Sequence, residues 1–222
     1  MDKNTPIIPI SHASLILNMG DIVIYNDPTG DASLYEKYNK PNIILVSDIH
    51  SDHASPDTLK AISTDDTIIV VPQAVADELP SGIPGVLNII QNGQSINLKG
   101  MAITAVPMYN VPETDNAYHT KGRGNGYVLE DSNQRIYIAG DTSFTDEMRA
   151  LKNIDIAFIP MNLPYTMSED EAAEAVLAFK PKVVIPYHYR GKDGYSDTQK
   201  FKELVHAGDP NIKVELMDFY KE

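Results

Sequence analysis

The sequence of 222 residues predicts a layered α/β fold, and three observations lead to that class. Short runs rich in Ile and Val recur along the chain, and their length and β-branched content are typical of strands. Amphipathic segments interleave with these runs, as in folds that cover a sheet with helices. Only turn-sized gaps separate the first three runs, which indicates an antiparallel start.

Twelve strands are predicted in order along the chain. They cover residues 6–10, 14–19, 21–25, 42–46, 67–71, 87–90, 101–106, 126–130, 135–139, 154–160, 182–186 and 213–216. No linker, low-complexity tract or repeat interrupts them. Because a chain of this length can form one large domain, we expect a single domain over residues 1–222.

Four helices are predicted between these strands. The first two are short and cover residues 56–62 and 73–79. The third covers 168–180, where Ser168 and Glu171 form a capping box before an apolar face. The fourth covers 196–207, with Ser196 and Gln199 as the capping pair and a glycine just past its end.

Composition and charge exclude several classes of protein. The chain has 18 Lys and Arg against 31 Asp and Glu, a formal net charge of −13, and no cysteine. A disulfide framework, a zinc ribbon and a thiol nucleophile are therefore excluded. The acidic balance speaks against nucleic-acid binding, which needs Lys and Arg for phosphates. No apolar run approaches the ~20 residues of a membrane span.

The expected setting of the protein follows from these exclusions. The first residues lack a basic region followed by an apolar core, so we expect no signal peptide and a cytoplasmic protein. The expected partner is a small-molecule substrate, with neither nucleic acid nor membrane. A homo-oligomer remains open.

A cluster of His and Asp follows the predicted strand 42–46. It consists of Asp48, His50, Asp52 and His53. Loops that leave the end of a strand gather functional residues, because the sheet holds them rigidly. Imidazole and carboxylate ligands without sulfur suit zinc, manganese or iron. The cluster therefore predicts a metal site.

Three further candidate ligands occupy comparable positions. Asp141 and His188 each close a predicted strand, and His119 lies in a long loop before another. His12 is either a supporting residue that orients a ligand or a core histidine. His206 lies within the last predicted helix and is expected to be a surface or packing residue.

The order of these motifs resembles that of the metallo-β-lactamase superfamily. The motifs are Asp48-x-His50-x-Asp52-His53, then His119, Gly140-Asp141-Thr142 and Pro186-Tyr187-His188. The similarity is closer to small bacterial hydrolases of the ascorbate-6-phosphate lactonase-like kind. Ser11-His12-Ala13-Ser14 with Asp27-Pro28, and residues 163–167 before an acidic helix, also resemble that branch.

This resemblance implies an αββα four-layer sandwich of two mixed sheets with helices outside. It also implies two divalent metal ions, with zinc as first choice and manganese or iron as alternatives. One ion would take Asp48, His50 and His119, the other Asp52, His53 and His188, and Asp141 would bridge them. The implied catalytic residues are Asp52 and His53, beside a hydroxide held by the metals. Asp48 departs from the family motif, which usually opens with His.

The expected substrate is a small anionic ester, lactone or phosphodiester. Lys121, Arg123 and Arg190 follow proposed ligands closely in sequence and would bind an anionic group. Solvated loop charges explain these cations equally well. Two other interpretations remain open. One is a ribonuclease of the same fold. The other is a metal-binding or regulatory module with an impaired site, which is considered because Asp48 replaces the usual first His.

Overall fold

The structure, a computed structural model, describes residues 6–220 and divides into two compact units. Unit 1 comprises Met1–Gln91 and Asp218–Glu222, and unit 2 comprises Asn92–Met217. Residues 1–5, on which the expectation of no signal peptide mainly rests, lie outside the described residues. The single domain over residues 1–222 stays a prediction.

Unit 1 is built on a six-stranded mixed sheet in which the strands lie in chain order. The strands are β1 (Ile7–Ser11), β2 (Ser14–Met19), β3 (Ile22–Asn26), β4 (Ile43–Leu45), β5 (Ile68–Val71) and β6 (Val86–Ile89). The first three pair antiparallel, as their turn-sized gaps predict, and β3 to β6 pair parallel. Parallel strands need longer connections, and here two of those connections contain a helix.

Two short helices cover part of this sheet, α1 (Pro56–Ile62) and α2 (Gln73–Glu78). Helix α1 begins at a proline, and the Ser55 side chain accepts a hydrogen bond from the backbone N–H of Thr58. This is the usual way to satisfy a free N–H at a helix start. Leu59 of α1 packs in a buried apolar cluster with sheet residues such as Ile44 and Val71.

Unit 2 is built on a seven-stranded mixed sheet. Its strands, in spatial order, are β15 (Lys213–Val214), β12 (Val183–Tyr187), β11 (Ile156–Pro160), β10 (Arg135–Ile138), β9 (Gly124–Glu130), β8 (Met101–Met108) and β7 (Ser95–Leu98). The strands β7 to β10 pair antiparallel, and β10, β11, β12 and β15 pair parallel. A small hairpin, β13 (Arg190–Gly191) and β14 (Gly194–Tyr195), forms a separate sheet.

Three helices belong to unit 2, α3 (Asp146–Arg149), α4 (Glu169–Phe179) and α5 (Thr198–Gly208). Helices α4 and α5 contact each other. Val176 and Phe179 of α4 and Phe201 and Val205 of α5 join the buried core of this unit. The two mixed sheets and their helices confirm the predicted α/β class. Among residues 6–220, every helix is too short or too polar to span a lipid bilayer.

Every predicted strand overlaps an observed one, but the sequence prediction missed β7, β13, β14, α3 and a 3-10 helix at Ala32–Leu34. Strand β7 lies at the edge of its sheet, and its polar Ser95 and Asn97 are exposed. The other four elements have two to four residues each. Elements this short carry too few residues for a periodic pattern.

The predicted helix caps are right at one residue and wrong at others. Ser168 caps α4 as predicted, but the carboxylate of Glu171 accepts from the N–H of Phe144 rather than completing a capping box. Asp197 caps α5 in place of the predicted Ser196, because its carboxylate accepts two N–H groups of the first turn. The Ser196 hydroxyl donates to a backbone carbonyl instead.

The end of α5 also differs from the prediction. Gly208 lies inside the helix rather than past its end, and Asp209 follows as the cap. A side chain at Gly208 would approach Leu177 to 2.4 Å, so glycine here allows close packing. His206 is exposed on α5, in agreement with a surface role.

Candidate functional site

The candidate ligands of unit 1 leave one edge of its sheet. Strands β3 and β4 are parallel neighbours, so their carboxyl ends meet at the same edge. Asp27 follows β3 directly, and Ser47 and Asp48 follow β4 within three residues. The loop after Asp48 carries the remaining candidates of this unit, His50, Asp52 and His53.

Asp27 is a fully buried carboxylate at the centre of this edge. Its oxygens accept hydrogen bonds from the backbone N–H and the hydroxyl of Ser47, both at 2.7 Å. The amide of Asn26 donates to it as well, at 3.1 Å. Several donors stabilise a buried charge that would otherwise be costly.

His53 is buried, and Asp27 fixes its orientation. Its Nδ1 lies 2.9 Å from Oδ2 of Asp27 and 3.0 Å from the Ser47 hydroxyl. Because an ionised carboxylate only accepts, Nδ1 donates this hydrogen bond, and in the neutral imidazole Nε2 then carries the lone pair. A histidine held by a carboxylate in this way is a typical metal ligand. Its Nε2 lies 3.9 Å from a carboxylate oxygen of Asp52.

Asp48 is fully buried, and its carboxylate lies 2.9 Å from Nδ1 of His50. It therefore faces the candidate ligands of its own loop. By the same reasoning as for His53, His50 donates from Nδ1 and keeps the Nε2 lone pair. The role of Asp48 as a ligand stays a prediction, and the contact with His50 gives it a second role that the sequence did not reveal.

His12 lies near Asp52 rather than deep in the core. Its Nε2 is 3.3 Å from a carboxylate oxygen of Asp52, and its Nδ1 is 2.7 Å from the Tyr220 hydroxyl. The Asp52 side chain is 41% exposed, whereas that of His12 is 14% exposed. This geometry is what a supporting residue that orients Asp52 requires, although that role is still a prediction.

In unit 2, the side chains of His119 and His188 lie beside the carboxylate of Asp141. Nε2 of His119 lies 3.4 Å from Oδ2 of Asp141, and Nε2 of His188 lies 3.4 Å from Oδ1. All three side chains are buried. A different imidazole thus lies near each oxygen of the carboxylate, and the bridging role that the resemblance implies for Asp141 stays a prediction.

The backbone just before Asp141 packs closely against neighbouring strands of unit 2. Gly140 has a left-handed φ of 67°, and a side chain there would come within 2.4 Å of the Met108 sulfur. The left-handed φ therefore favours glycine in front of Asp141. The N–H of Gly140 donates to the Tyr187 hydroxyl at 2.9 Å, which ties the end of β10 to β12.

Two asparagines position the histidines of this cluster. The amide nitrogen of Asn162 lies 3.0 Å from Nδ1 of His188. The carboxamide oxygen of Asn110 accepts a hydrogen bond from the backbone N–H of His119 at 2.8 Å. The Asn162 contact orients the ring of His188, and the Asn110 contact holds the backbone of the loop that carries His119.

The sequence prediction missed Asp27, Ser47, Asn110 and Asn162 as site residues. Each of them lies within two residues of the end of a strand, β3, β4, β8 or β11. Asp27 entered only as part of a family motif. A search for polar residues within two positions of the end of every predicted strand would have found Asp27, Ser47 and Asn162. It would have missed Asn110, because the predicted strand ends at residue 106 and the observed one at Met108.

Lys121, a predicted substrate contact, is bonded within its own unit. Its Nζ lies 3.1 Å from the Glu147 carboxylate, 3.2 Å from the Tyr109 hydroxyl and 4.4 Å above the Tyr109 ring. The Tyr109 hydroxyl donates to Glu147 at 2.8 Å. Hydrogen bonds to Tyr109 and Glu147 raise the pKa of Lys121. Its positive charge is therefore shared with Glu147.

The two predicted arginine contacts differ from Lys121. Arg123 donates from its guanidinium to the backbone carbonyl of Tyr118 at 2.7 Å, at an exposed position. Arg190 is exposed on the small hairpin, at the start of β13. Both follow a candidate ligand, His119 or His188, within four residues. Their part in substrate binding stays a prediction.

The donor set fits a divalent metal ion. His and Asp side chains that could serve as its ligands occur in both units. They supply imidazole nitrogen and carboxylate oxygen without sulfur, the ligands typical of zinc, manganese and iron centres. Most are buried and held by polar partners, as metal ligands require.

Residues 7–188 match the family model described as the beta-lactamase superfamily domain. A UPF0173 metal-dependent hydrolase from Thermococcus onnurineus is 31% identical over 169 residues, which cover 74% of this chain and 74% of the relative. A relative from Enterococcus faecalis with the same description is 30% identical over 180 residues, 76% of each chain.

Solved structures share the fold. A candidate metal-dependent hydrolase from Parabacteroides distasonis superimposes with a TM-score of 0.80 and 36% identity, covering 95% of this chain and 91% of the other.

Proposed function

This chain belongs to the beta-lactamase superfamily, in its UPF0173 family of metal-dependent hydrolases, and we propose that it binds two divalent metal ions and hydrolyses a small anionic ester, lactone or phosphodiester. Metal-dependent hydrolysis is the activity named for its relatives. The number of ions, zinc as the metal and the substrate class belong to the proposal.

The observation that carries the proposal is the pair of histidines on Asp141. Each oxygen of this buried carboxylate lies 3.4 Å from a different imidazole Nε2. A carboxylate with a separate nitrogen ligand at each oxygen is suited to bridge two cations. We propose that Asp48, His50 and His119 hold one ion, and that Asp52, His53 and His188 hold the other.

Divalent ions at such a site would act as Lewis acids and lower the pKa of a bound water, which supplies the nucleophile at neutral pH. The protein's own side chains keep the ligands in place. Asp27 holds the proton of His53 on Nδ1, and Asn162 fixes the ring of His188. Asp52 is the most exposed of the candidate carboxylates, and we propose that it orients the attacking water and receives its proton.

The substrate proposal depends on the arginines. Arg123 is partly buried and Arg190 is exposed, and each carries a guanidinium group of a kind that suits a carboxylate or phosphate. Lys121 contributes less, because Glu147 balances its charge. The narrower resemblance to ascorbate-6-phosphate lactonase-like enzymes is the reason to test lactones. A cytoplasmic location, the absence of nucleic-acid and membrane partners, and a homo-oligomer all stay predictions.

Metal analysis of protein purified without chelator tests the proposal. We expect about two equivalents of zinc, manganese or iron per chain, and a large loss of metal in His53→Ala and in His119→Ala. His206→Ala is the matched control, because His206 is an exposed histidine on α5 and should leave the metal content unchanged. Absence of metal even at saturating zinc or manganese would favour the alternative, a regulatory module in which the Asp48–His50 contact replaces a ligand pair.

A panel of lactones, carboxylic esters and phosphodiesters then tests the substrate class. Arg123→Ala should raise the KM for anionic members of the panel and leave neutral esters unaffected, because only the anionic ones lose a charge-assisted hydrogen bond. Equal losses on both groups would show that Arg123 supports the loop rather than the substrate.

A further inference from the structure

Strand β6 lies at the edge of the unit 1 sheet, and its apolar side chains are open to solvent. Within residues 6–220, its one sheet partner is β5. Val86, Leu87 and Ile89 are 55%, 45% and 43% exposed. Because successive residues of a strand point to opposite faces, Leu87 and Ile89 share one face and Val86 lies on the other. Apolar side chains are therefore exposed on both faces of this edge.

The backbone of β6 also directs hydrogen-bonding groups to this edge. The N–H groups of Val86 and Ile90 donate to backbone carbonyls at either end of β5. The N–H and C=O of one strand residue point to the same side, and successive residues alternate between the two sides. The backbone groups of Leu87 and Ile89 therefore point away from β5. They are available to a further strand.

The other edges of the two large sheets are less suited to pairing. Strand β1, at the opposite edge of unit 1, contains Pro9 and a break in its register with β2. In unit 2, β15 has only two residues, one of them Lys213, and the exposed residues of β7 are the polar Ser95 and Asn97. Proline, irregular register, charge and short length are common ways to block an edge. Strand β6 pairs with β5 in unbroken register and contains neither proline nor a charged residue.

Charge favours a second copy of this chain as the partner of β6. The net charge of −13 makes two copies repel each other on average. Strand β6 lies in the longest stretch of the sequence without Asp, Glu, Lys or Arg, residues 79–98, although 22% of all residues are charged. Two copies that meet at β6 therefore bring no like charges of this strand together. A basic partner would find no carboxylate on β6 to bind.

Strand β6 is also complementary to itself in one antiparallel register. A two-fold axis at Asn88 places Leu87 of each copy opposite Ile89 of the other. The backbone groups of these two residues face the edge, so each such pair would exchange both of its N–H···O=C hydrogen bonds. The same register places apolar side chains opposite each other. A contact between identical surfaces of this kind is typical of two-fold dimers.

We propose that two copies of this chain associate through β6, paired as antiparallel strands, so that two unit 1 sheets join into one. A four-residue strand buries less area than a permanent interface needs, so the dimer should form and dissociate with protein concentration. The proposal uses residues of unit 1 alone. It goes beyond the proposed function and depends neither on the metal ions nor on hydrolysis.

Sedimentation velocity tests the association. We expect the mean mass to rise from one chain toward two as the protein concentration increases from micromolar to millimolar. Leu87→Lys and Leu87→Asp should each weaken the dimer at least tenfold, because either charge would lie against the apolar Ile89 of the other copy. Lys lowers the net negative charge and Asp raises it, so a loss with both assigns the effect to the edge.

Leu34→Lys and Leu34→Asp are the matched controls for this measurement. Leu34 is 42% exposed and lies outside β6, on the connection after β3, so both variants should associate as the unmodified protein does. A protein that keeps the mass of one chain at millimolar concentration would overturn the proposal. Equal effects of the substitutions at Leu87 and Leu34 would overturn it as well.

A single introduced thiol tests the register, because the chain has no cysteine of its own. Asn88→Cys places the thiols of two copies opposite each other, at a pair without hydrogen bonds whose Cα atoms would be ~4.5 Å apart, within reach of a disulfide. We expect mild oxidation to give a covalent dimer. Val86→Cys is the control on the same strand, because its two thiols would lie four residues apart along the pair, roughly 13 Å.

The two thiol variants give opposite results only in the proposed register. Much more covalent dimer from Asn88→Cys than from Val86→Cys supports the proposal, since Val86 is a well exposed residue of the same strand. Equal yields would point to random collision and overturn it. Absence of covalent dimer from Asn88→Cys, while its thiol still reacts with a chromogenic disulfide reagent, would overturn it too.

Discussion

At the level of single residues, the candidate site depends on side chains that do not themselves bind a ligand. Asp27 is the clearest of these, because it decides which nitrogen of His53 carries the proton. A neutral imidazole has one lone pair, so fixing the proton on Nδ1 directs the other nitrogen to a metal. The buried Asp27 thus orients His53 so that Nε2 is its metal-binding atom.

Asp27→Asn tests this role. The amide keeps the size of the side chain but loses the charge that holds the His53 proton. We expect the affinity for zinc to fall by roughly 10- to 100-fold, measured by competition with a chromophoric chelator. Asp31→Asn is the control, since Asp31 is an exposed carboxylate on the same connection after β3. Equal affinities of Asp27→Asn and the unmodified protein would limit Asp27 to a structural role.

The sequence revealed the candidate ligands more readily than their partners. Histidine is rare enough that His50, His119 and His188 stand out in the loops and strand ends where they lie. Asn110 and Asn162 do not, because asparagine is common in loops for its turn-forming ability. Their importance comes from hydrogen bonds to residues 9 and 26 positions away, which no local pattern contains.

At the level of elements, a cluster of Lys121, Tyr109 and Glu147 joins the loop after β8 to α3. Tyr109 and Glu147 are hydrogen bonded, and Lys121 bonds to both. Burial of Glu147 acts to raise its pKa, but hydrogen bonds from its own backbone N–H, Tyr109 and Lys121 lower the pKa overall. The cluster therefore holds the loop of His119 most firmly when Glu147 is ionised.

Glu147→Gln should reduce the free energy of unfolding by about 1 kcal/mol at pH 7, measured by urea denaturation. Because the folded pKa of Glu147 is lowered, its contribution is complete above the unfolded value of about 4.5 and is lost as the pH falls through the folded value. The difference between the two proteins should therefore shrink below pH 4.5. Glu113→Gln is the control, since Glu113 is 59% exposed and 3.8 Å from Lys121. A difference that is the same at pH 7 and pH 3.5 would contradict this account.

Elements with many β-branched residues were predictable, and elements decided by a few hydrogen bonds were not. Strands such as β4 and β5 are continuous apolar runs that are buried on both sides. The start of α5 was off by one or two residues, because Ser196 and Asp197 are both good capping residues and only the fold shows which carboxylate or hydroxyl reaches the N–H groups.

At the level of the whole molecule, the two compact units raise the question of cooperativity. Each has its own sheet and its own buried apolar cluster. The sequence nevertheless predicts one domain, and the chain enters unit 1 twice, through residues up to 91 and again from residue 218. A chain threaded in this way should unfold in a single step.

Calorimetry of the chelated protein tests this expectation. Leu59→Ala opens a cavity in the core of unit 1, and Phe201→Ala opens one in unit 2, each at a cost of roughly 2–5 kcal/mol. We expect one transition in all three proteins and a lower Tm in both variants. Two transitions, each lowered by only one of the substitutions, would show that the units unfold independently.

The return of the chain to unit 1 also has a consequence for synthesis on the ribosome. Residue 12 bonds through its N–H to the carbonyl of Phe219 and through its ring to the hydroxyl of Tyr220. Translation proceeds at roughly 5–20 residues per second, so His12 waits for these partners until the whole of unit 2 has been made. The part of the site made first is therefore completed only after the chain has been made through residue 220, because the contacts that hold His12 beside Asp52 form only then.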